Sequence, residues 1–160
     1  GSQVATVGNA FGMEVIAWSQ NLTEERASQI NARLVSKQDL LSQSDVMTIH
    51  LVLSERTRGL VGADDLARMK PSSYLVNTSR GPIVDETALI DALRSNAIAG
   101  AGLDVFDVEP LPADHPILAC DQVVMTPHMA DQTPEGMELL NEGAVDNVIA
   151  FLEGRPQNVV

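Results

Sequence analysis

Three side chains in the second half of this sequence could together carry out chemistry on a carbonyl group. Arg80, Glu109 and His128 supply a guanidinium, a carboxylate and an imidazole. A guanidinium can bind a carboxylate through two parallel, charge-assisted hydrogen bonds. An imidazole can donate or accept an alcohol proton near neutral pH, and an adjacent carboxylate stabilises its charged form and orients its ring. These residues are therefore the candidate catalytic groups, provided that the fold brings them together.

The apolar pattern predicts that strands deliver these residues to one edge of a sheet. Runs of strand length occupy 13–19, 33–36, 45–52, 74–77, 98–105 and 122–126, and helical segments separate them at 3–10, after Thr23, at 37–41, 63–69 and 85–95, and from Thr133 onward. Asp85 is expected to cap its helix, and the apolar sides expected of that helix and of the last one comprise Leu89, Ala92 and Leu93, and Met137, Leu140, Ala144, Val145, Val148, Ile149 and Leu152, respectively. This alternation predicts an α/β fold with a doubly wound, Rossmann-type parallel sheet in three layers. Such sheets bind ligands beyond the carboxyl ends of their strands, where Arg80, Glu109 and His128 fall.

Composition limits the functions that this domain can have. The 160 residues suffice for one domain, and the net charge of −12 argues against nucleic acids and anionic membranes as partners. Cys120 is the single cysteine, so no internal disulfide can form, and we expect it to be a small buried apolar residue in a cytoplasmic protein. No apolar stretch is long enough to span a membrane, and no residue cluster has metal-ligand spacing.

Three motifs identify a family when they are taken in order. The segments NTSRGPIVD (77–85), GLDVFDVEP (102–110) and TPH (126–128) resemble the signature series of the D-isomer-specific 2-hydroxyacid dehydrogenases. The resemblance implies an oxidoreductase that transfers a hydride between NAD or NADP and a small 2-hydroxy or 2-keto acid, such as glyoxylate or hydroxypyruvate. It also implies that Arg80 binds the substrate carboxylate and that Glu109 pairs with His128. Family members are commonly homodimers, so we expect the same here.

The same resemblance implies a set of cofactor contacts at the strand ends. Asp104 would approach the nicotinamide side, and the full set is Ser19, Leu51, Val52, Thr78, Ser79, Arg80, Asp104, His128 and Ala130. Enzymes that use NAD usually carry an acid at the end of the second strand, where it binds the ribose hydroxyls. Ser19 stands at that place, so the choice between NAD and NADP stays open.

The start of the chain departs from the family pattern. Gly1 falls where the third glycine of a G-x-G-x-x-G loop would stand, so we expect the first strand and the glycine-rich loop to be absent from this chain. Residues 1–160 are then a dinucleotide-binding domain, largely without the substrate domain, toward which we expect residues 140–160 to fold back in the full-length protein. We expect the isolated chain to be inactive.

Two other functions remain open at this point. Corepressors of the same fold bind NAD(H) without catalysis, and phosphite dehydrogenases keep the same three residues. Formate dehydrogenases carry a glutamine in place of Glu109, which argues against them. The other two histidines are not expected to be catalytic. His50 is expected inside a strand, where it packs or supports the site from behind, and His115 is expected to be a surface or turn residue of a proline-bounded loop.

Overall fold

The computed structural model describes residues 1–159, which divide into two compact units, residues 1–128 and the residues from Met129 onward. The elements of the first unit follow in the order α1 (Ser2–Ala10), β1 (Ile16–Ala17), α2 (Glu24–Ser28), β2 (Arg33–Leu34), α3 (Lys37–Gln43), β3 (Val46–Ile49), α4 (Ala63–Leu66), β4 (Tyr74–Asn77), α5 (Glu86–Arg94), β5 (Gly100–Leu103) and β6 (Val123–Met125). Short 3₁₀ helices occupy Gly81–Ile83 and Pro116–Ala119.

All the strand pairs of these elements are parallel, as predicted. β1 pairs with β2, and β3, β4, β5 and β6 form a second sheet in that order. The register places Ile49 beside Asn77 and Asn77 beside Leu103, so β3, β4 and β5 end level with one another. The segments that follow these strands therefore leave the sheet at a common edge.

Helix α5 is held in place by a side-chain cap at its start and by buried apolar side chains. Asp85 caps α5 through its side chain, which accepts a hydrogen bond from the Ala88 N–H at 3.0 Å. Leu89 and Leu93 of that helix are buried, and so is Leu75 of β4. The apolar side predicted for α5 is thus the side that packs. Cys120 is buried in the same cluster, as expected.

Several strands are shorter than their apolar runs predicted. β1 retains only Ile16–Ala17 of the run 13–19, because its described pairing is with the two residues of β2. β3 ends at Ile49, where its ladder with β4 ends. His50 therefore follows the strand, and the prediction that it lies inside one is wrong; its Nε2 lies 3.0 Å from the Thr48 hydroxyl.

The second unit contains α6 (Pro134–Leu152), which begins as predicted. The Thr133 hydroxyl accepts a hydrogen bond from the Gly136 N–H at 3.0 Å, and Pro134 occupies the first turn. The apolar residues expected to form its packed face are largely exposed, including Leu140 and Val148, whereas Ala150 is buried. No helix within residues 1–159 is both long enough and apolar enough to cross a membrane.

Candidate active site

The turn that carries Arg80 is shaped by a buried asparagine at the end of β4. The Asn77 side chain accepts a hydrogen bond from the Ser79 N–H and donates one to the Arg80 carbonyl, both at 3.0 Å. Asparagine side chains stabilise turns by this kind of local bonding. The Ser79 hydroxyl in turn donates to the Leu51 carbonyl, which follows β3. The polar segments after two neighbouring strands are therefore tied together.

Gly81 brings this turn into contact with the segment that follows β5. A Cβ atom on Gly81 would lie 2.1 Å from the Phe106 carbonyl carbon and 2.6 Å from the Asp107 nitrogen. Only a residue without a side chain allows two backbones to approach this closely. The residue after Arg80 therefore packs directly against the loop that leads to Glu109.

Glu109 and His128 form a hydrogen-bonded pair. The Oε2 atom of Glu109 lies 2.6 Å from Nδ1 of His128, and its Oε1 atom accepts a hydrogen bond from the Phe106 N–H at 2.9 Å. The two side chains are 34% and 42% exposed, respectively, so a ligand can still reach them. Engagement of Nδ1 leaves Nε2 as the ring nitrogen for proton transfer.

The electrostatics of the pair favour an ionised Glu109. Burial raises the pKa of Glu109, but the hydrogen bonds from His128 and the Phe106 N–H, together with the positive charges of His128 and Arg80, outweigh it and lower the pKa below its ordinary value. Glu109 is therefore a carboxylate at neutral pH and can stabilise an imidazolium on His128. Arg80 is exposed, and its Nη1 donates to the Ser79 carbonyl at 2.6 Å.

The backbone of His128 adopts a conformation that costs energy. Its φ angle is +52°, and its N–H donates to the Asp104 carbonyl at 2.8 Å. Residues other than glycine are uncommon at positive φ, and such strain is concentrated at functional sites. Asp104 itself is 2% exposed, and its Oδ1 accepts a hydrogen bond from the Thr126 hydroxyl at 2.5 Å. Asp104 thus anchors the histidine segment; the nicotinamide contact expected of it stays a prediction.

A cleft of about 550 Å³ opens beside the Glu109–His128 pair. Most of its wall is apolar, and its lining comprises Phe106, Glu109, Pro110, Leu111, Leu118, Met125, Thr126, Pro127 and His128. Clefts that bind small molecules commonly combine an apolar wall with a few polar groups that orient the ligand. The arrangement can hold a small carbonyl compound against a proton donor.

The other predicted cofactor contacts occupy varied positions. Ser19 lies beyond the end of β1 and its carbonyl accepts a hydrogen bond from the Leu22 N–H, while Val52 is 85% exposed and Thr78 is also exposed. Ala130 is an exposed residue of the second unit. Among residues 1–159, no group of His, Cys, Asp and Glu side chains could hold a metal ion.

Sequence reasoning missed one polar contact near the site. Nε2 of His115 lies 2.9 Å from Oε1 of Glu86, and the two side chains are only 17% and 16% exposed. His115 thus lies in the proline-bounded loop, as predicted, but its side chain is partly buried against Glu86 instead of lying free at the surface. No local pattern signals this pair, because the contact depends on how α5 packs against the loop after β5. Glu86 alone resembles an ordinary acid in the first turn of a helix.

Replacing Gly81 by alanine should displace the catalytic side chains of the candidate site. The added Cβ would meet the Phe106–Asp107 peptide, so either the Arg80 turn or the Glu109 loop must move. A displacement of about 1 Å at a catalytic group can lower activity roughly 100-fold. In the full-length protein we expect a loss of that size in kcat/KM for keto-acid reduction, measured with NADH.

Gly62→Ala is the matched control for Gly81→Ala. A Cβ on Gly62 would meet only the Gly59 carbonyl oxygen, at 4.0 Å, so this variant should keep its activity. Equal activity of the two variants would show that the close approach of the two backbones is unimportant for the site.

Comparison with known proteins places the chain among dehydrogenases. Residues 1–130 match the family model described as "D-isomer specific 2-hydroxyacid dehydrogenase, NAD binding domain". The chain is 45% identical over 161 residues to a glyoxylate reductase from Aeropyrum pernix, covering 100% of this chain and 48% of the relative.

Solved structures agree with this match. A putative D-3-phosphoglycerate dehydrogenase from Ralstonia solanacearum superimposes with a TM-score of 0.91 at 36% identity, covering 99% of this chain and 46% of that one. A D-lactate dehydrogenase from Aquifex aeolicus, complexed with NAD and lactic acid, superimposes with a TM-score of 0.87 at 33% identity, covering 97% of this chain and 51% of that one. This chain spans about half the length of the relatives that it matches.

Proposed function

Because this chain belongs to the D-isomer-specific 2-hydroxyacid dehydrogenase family, we propose that the protein containing it reduces a small 2-keto acid, such as glyoxylate or hydroxypyruvate, and catalyses the reverse oxidation. The observation that carries this proposal is the Glu109–His128 pair, 2.6 Å apart, with the charge of Arg80 close enough to lower the pKa of Glu109. A guanidinium thus lies near a carboxylate-bound imidazole beside an open cleft.

Each of the three side chains has a distinct part in this reaction. Arg80 binds the carboxylate of the keto acid and orients the carbonyl group. His128, as an imidazolium, donates the Nε2 proton to the carbonyl oxygen while the carbonyl carbon accepts a hydride. Glu109 stabilises the imidazolium before transfer and holds the ring in place afterwards. In the oxidation direction, neutral His128 accepts the alcohol proton.

The residues at the sheet edge fit a nicotinamide dinucleotide, which supplies or accepts the hydride when bound. Val52 and Thr78 are exposed beyond β3 and β4, where they offer apolar and hydroxyl surface to a ligand. The contacts that we propose for it are Ser19, Leu51, Val52, Thr78, Ser79, Arg80, Asp104, His128 and Ala130. Ser19 offers no carboxylate to repel a 2′-phosphate, so NADH and NADPH should both be assayed.

The direct test measures the absorbance of NADH and NADPH with glyoxylate and hydroxypyruvate, using the full-length protein. Consumption of the reduced cofactor that depends on the keto acid is the expected result. Binding of NADH without turnover would contradict the proposal and favour a corepressor-type regulator. Reduction of NAD⁺ by phosphite, with no reaction of either keto acid, would favour a phosphite dehydrogenase.

We further propose that the protein acts as a homodimer in the cytoplasm, with a small keto acid as its partner and no nucleic acid. The net charge of −12 supports the last point, since phosphate binding relies on Lys and Arg. Light scattering of the full-length protein should give the mass of two chains, and a monomeric mass would refute the dimer.

A further inference from the structure

The Glu86–His115 pair joins helix α5 to the loop that carries Glu109. Glu86 is the first residue of α5, and its Oε1 atom lies 2.9 Å from Nε2 of His115. The other carboxylate oxygen, Oε2, accepts a hydrogen bond from the Asp107 N–H at 3.2 Å. Both carboxylate oxygens of Glu86 are therefore bonded to the chain segment between β5 and the second 3₁₀ helix.

The orientation of the His115 ring is fixed on its other side. Nδ1 of His115 accepts a hydrogen bond from the Ile117 N–H at 3.4 Å, at the start of the second 3₁₀ helix. An imidazole nitrogen that accepts a hydrogen bond carries no proton, so the ring proton lies on Nε2 and is donated to Glu86. The histidine thus acts as a rigid link between the helix and the loop.

This link acts on the peptide groups that orient Glu109. The N–H of Phe106 is held by Glu109 itself, and the next N–H along the chain, that of Asp107, is held by Glu86. Gly81 packs against the same peptide. The Phe106–Asp107 peptide is therefore fixed from two sides, and Glu109 is bonded to the N–H of the peptide immediately before it.

The charges around Glu86 make the histidine necessary to the arrangement. Burial raises the pKa of the Asp107 carboxyl, and the negative charges of Glu86 and Asp85 raise it further, while the positive charge of Arg58 opposes this effect. Three carboxylates thus lie near one another, and the Nε2 N–H of His115 donates a hydrogen bond to one of them, Glu86. Loss of His115 would leave that Glu86 oxygen without its donor and would favour movement of the loop.

We propose that Glu86 and His115 are positioning residues, which hold the Phe106–Asp107 peptide so that Glu109 keeps its hydrogen bond to His128. This inference rests on the proposed function in that it assigns a purpose to the Glu109–His128 pair. Neither residue touches the substrate in this role; both act through Glu109.

The test compares Glu86→Gln, His115→Leu and His115→Gln in the full-length protein. Glu86→Gln removes one of the two acceptor oxygens, and His115→Leu removes the donor to Glu86. His115→Gln keeps an N–H donor near the position of Nε2 and should restore the wild-type behaviour. The first two variants should lose roughly tenfold in kcat, because Glu109 no longer stays in place, while the dissociation constant for NADH is unchanged.

Two readouts separate positioning from simple stabilisation. The acidic decline of keto-acid reduction, caused by protonation of Glu109, should move to higher pH in Glu86→Gln and His115→Leu, because a displaced Glu109 loses part of the hydrogen bonding that lowers its pKa. The NMR signal of the proton between Glu109 and His128 should weaken in both variants and return in His115→Gln. This NMR signal does not require turnover, so it tests the inference even if the proposed reaction fails.

Asp65→Asn is the matched control. Asp65 pairs with Lys37 at 2.8 Å, and the two side chains are 20% and 28% exposed, which is comparable to the Glu86–His115 pair. Asp65→Asn should lower the Tm and leave both readouts at their wild-type values. The inference would be overturned if Glu86→Gln and His115→Leu also lowered the Tm and left both readouts at their wild-type values. If Glu86→Gln does not fold, the contrast between His115→Leu and His115→Gln decides the question.

A wild-type protein that reduces no keto acid would refute the proposed function, whereas the NMR signal would still show whether Glu86 and His115 position Glu109. Turnover that is altered by Glu109→Gln but unaffected by both Glu86→Gln and His115→Leu would refute the inference alone.

Discussion

His128→Asn should lower kcat for keto-acid reduction by about 10³-fold, within the range that a general acid contributes to catalysis. Asparagine retains an N–H that can reach Glu109 but has no group in the position of Nε2. It also tolerates the positive φ angle of +52° at this position better than most residues, so the fold should be preserved. The change therefore removes the proton donor and little else. Steady-state kinetics with NADH and glyoxylate would measure the loss.

Cofactor affinity is the internal control for His128→Asn. Fluorescence titration with NADH should give a dissociation constant within a few-fold of the wild-type value, because His128 is one of several proposed cofactor contacts and the main loss is in proton transfer. A variant that keeps more than a tenth of the wild-type kcat would mean that another group donates the proton.

Arg80→Lys should lower kcat/KM for the keto acid by about 10- to 100-fold, and Arg80→Met by about 10³-fold. Lysine keeps the positive charge but cannot donate two parallel hydrogen bonds to a carboxylate, and each charge-assisted bond is worth about 1.5–3 kcal/mol. Methionine loses the charge as well, and removing one member of a desolvated charge pair costs about 3–5 kcal/mol. The larger part of the effect should fall on KM in the lysine variant.

Arg33→Met provides the matched control for Arg80. Arg33 is a surface arginine of the same unit, paired with Glu14 at 2.9 Å and 53% exposed, so its removal should leave kcat/KM unchanged. Equal losses in Arg33→Met and Arg80→Met would point to a general effect of net charge. An Arg80→Lys variant with wild-type kcat/KM would exclude the two parallel hydrogen bonds that Arg80 is proposed to donate to the substrate carboxylate.

Sequence patterns predicted the parts of the fold that local chemistry decides. The Asp85 cap, the buried side of α5 and the strand Tyr74–Asn77 follow from side-chain type and spacing, and the structure agrees with them. The gathering of residues at the carboxyl ends of the strands follows from the topology of parallel sheets alone. Topology thus predicted that Arg80, Glu109 and His128 lie at one edge of the sheet, whereas the pairing of Glu109 with His128 was implied by the family resemblance.

Features that depend on packing between distant segments could not be read from the sequence. The extents of β1 and β3 are set by the partner strands that complete their ladders, and the apolar runs give no sign of where those ladders end. Gly81 and the Glu86–His115 pair matter because the loop after β5 lies against α5 and its preceding turn. Spacing along the chain carries no information about such contacts.

The pH dependence of keto-acid reduction in wild type and Glu109→Gln tests the central claim most directly. Because interactions with His128, the Phe106 N–H and Arg80 lower the pKa of Glu109, its carboxylate is ionised throughout the neutral range and stabilises the imidazolium of His128. Reduction needs that imidazolium, so the wild-type rate should fall only at acidic pH, where the Glu109 carboxylate gains a proton, and below the ordinary range for a glutamate. Glu109→Gln should lack this acidic decline and should be slower by about tenfold or more across the neutral range. Superimposable profiles for the two proteins would contradict the account.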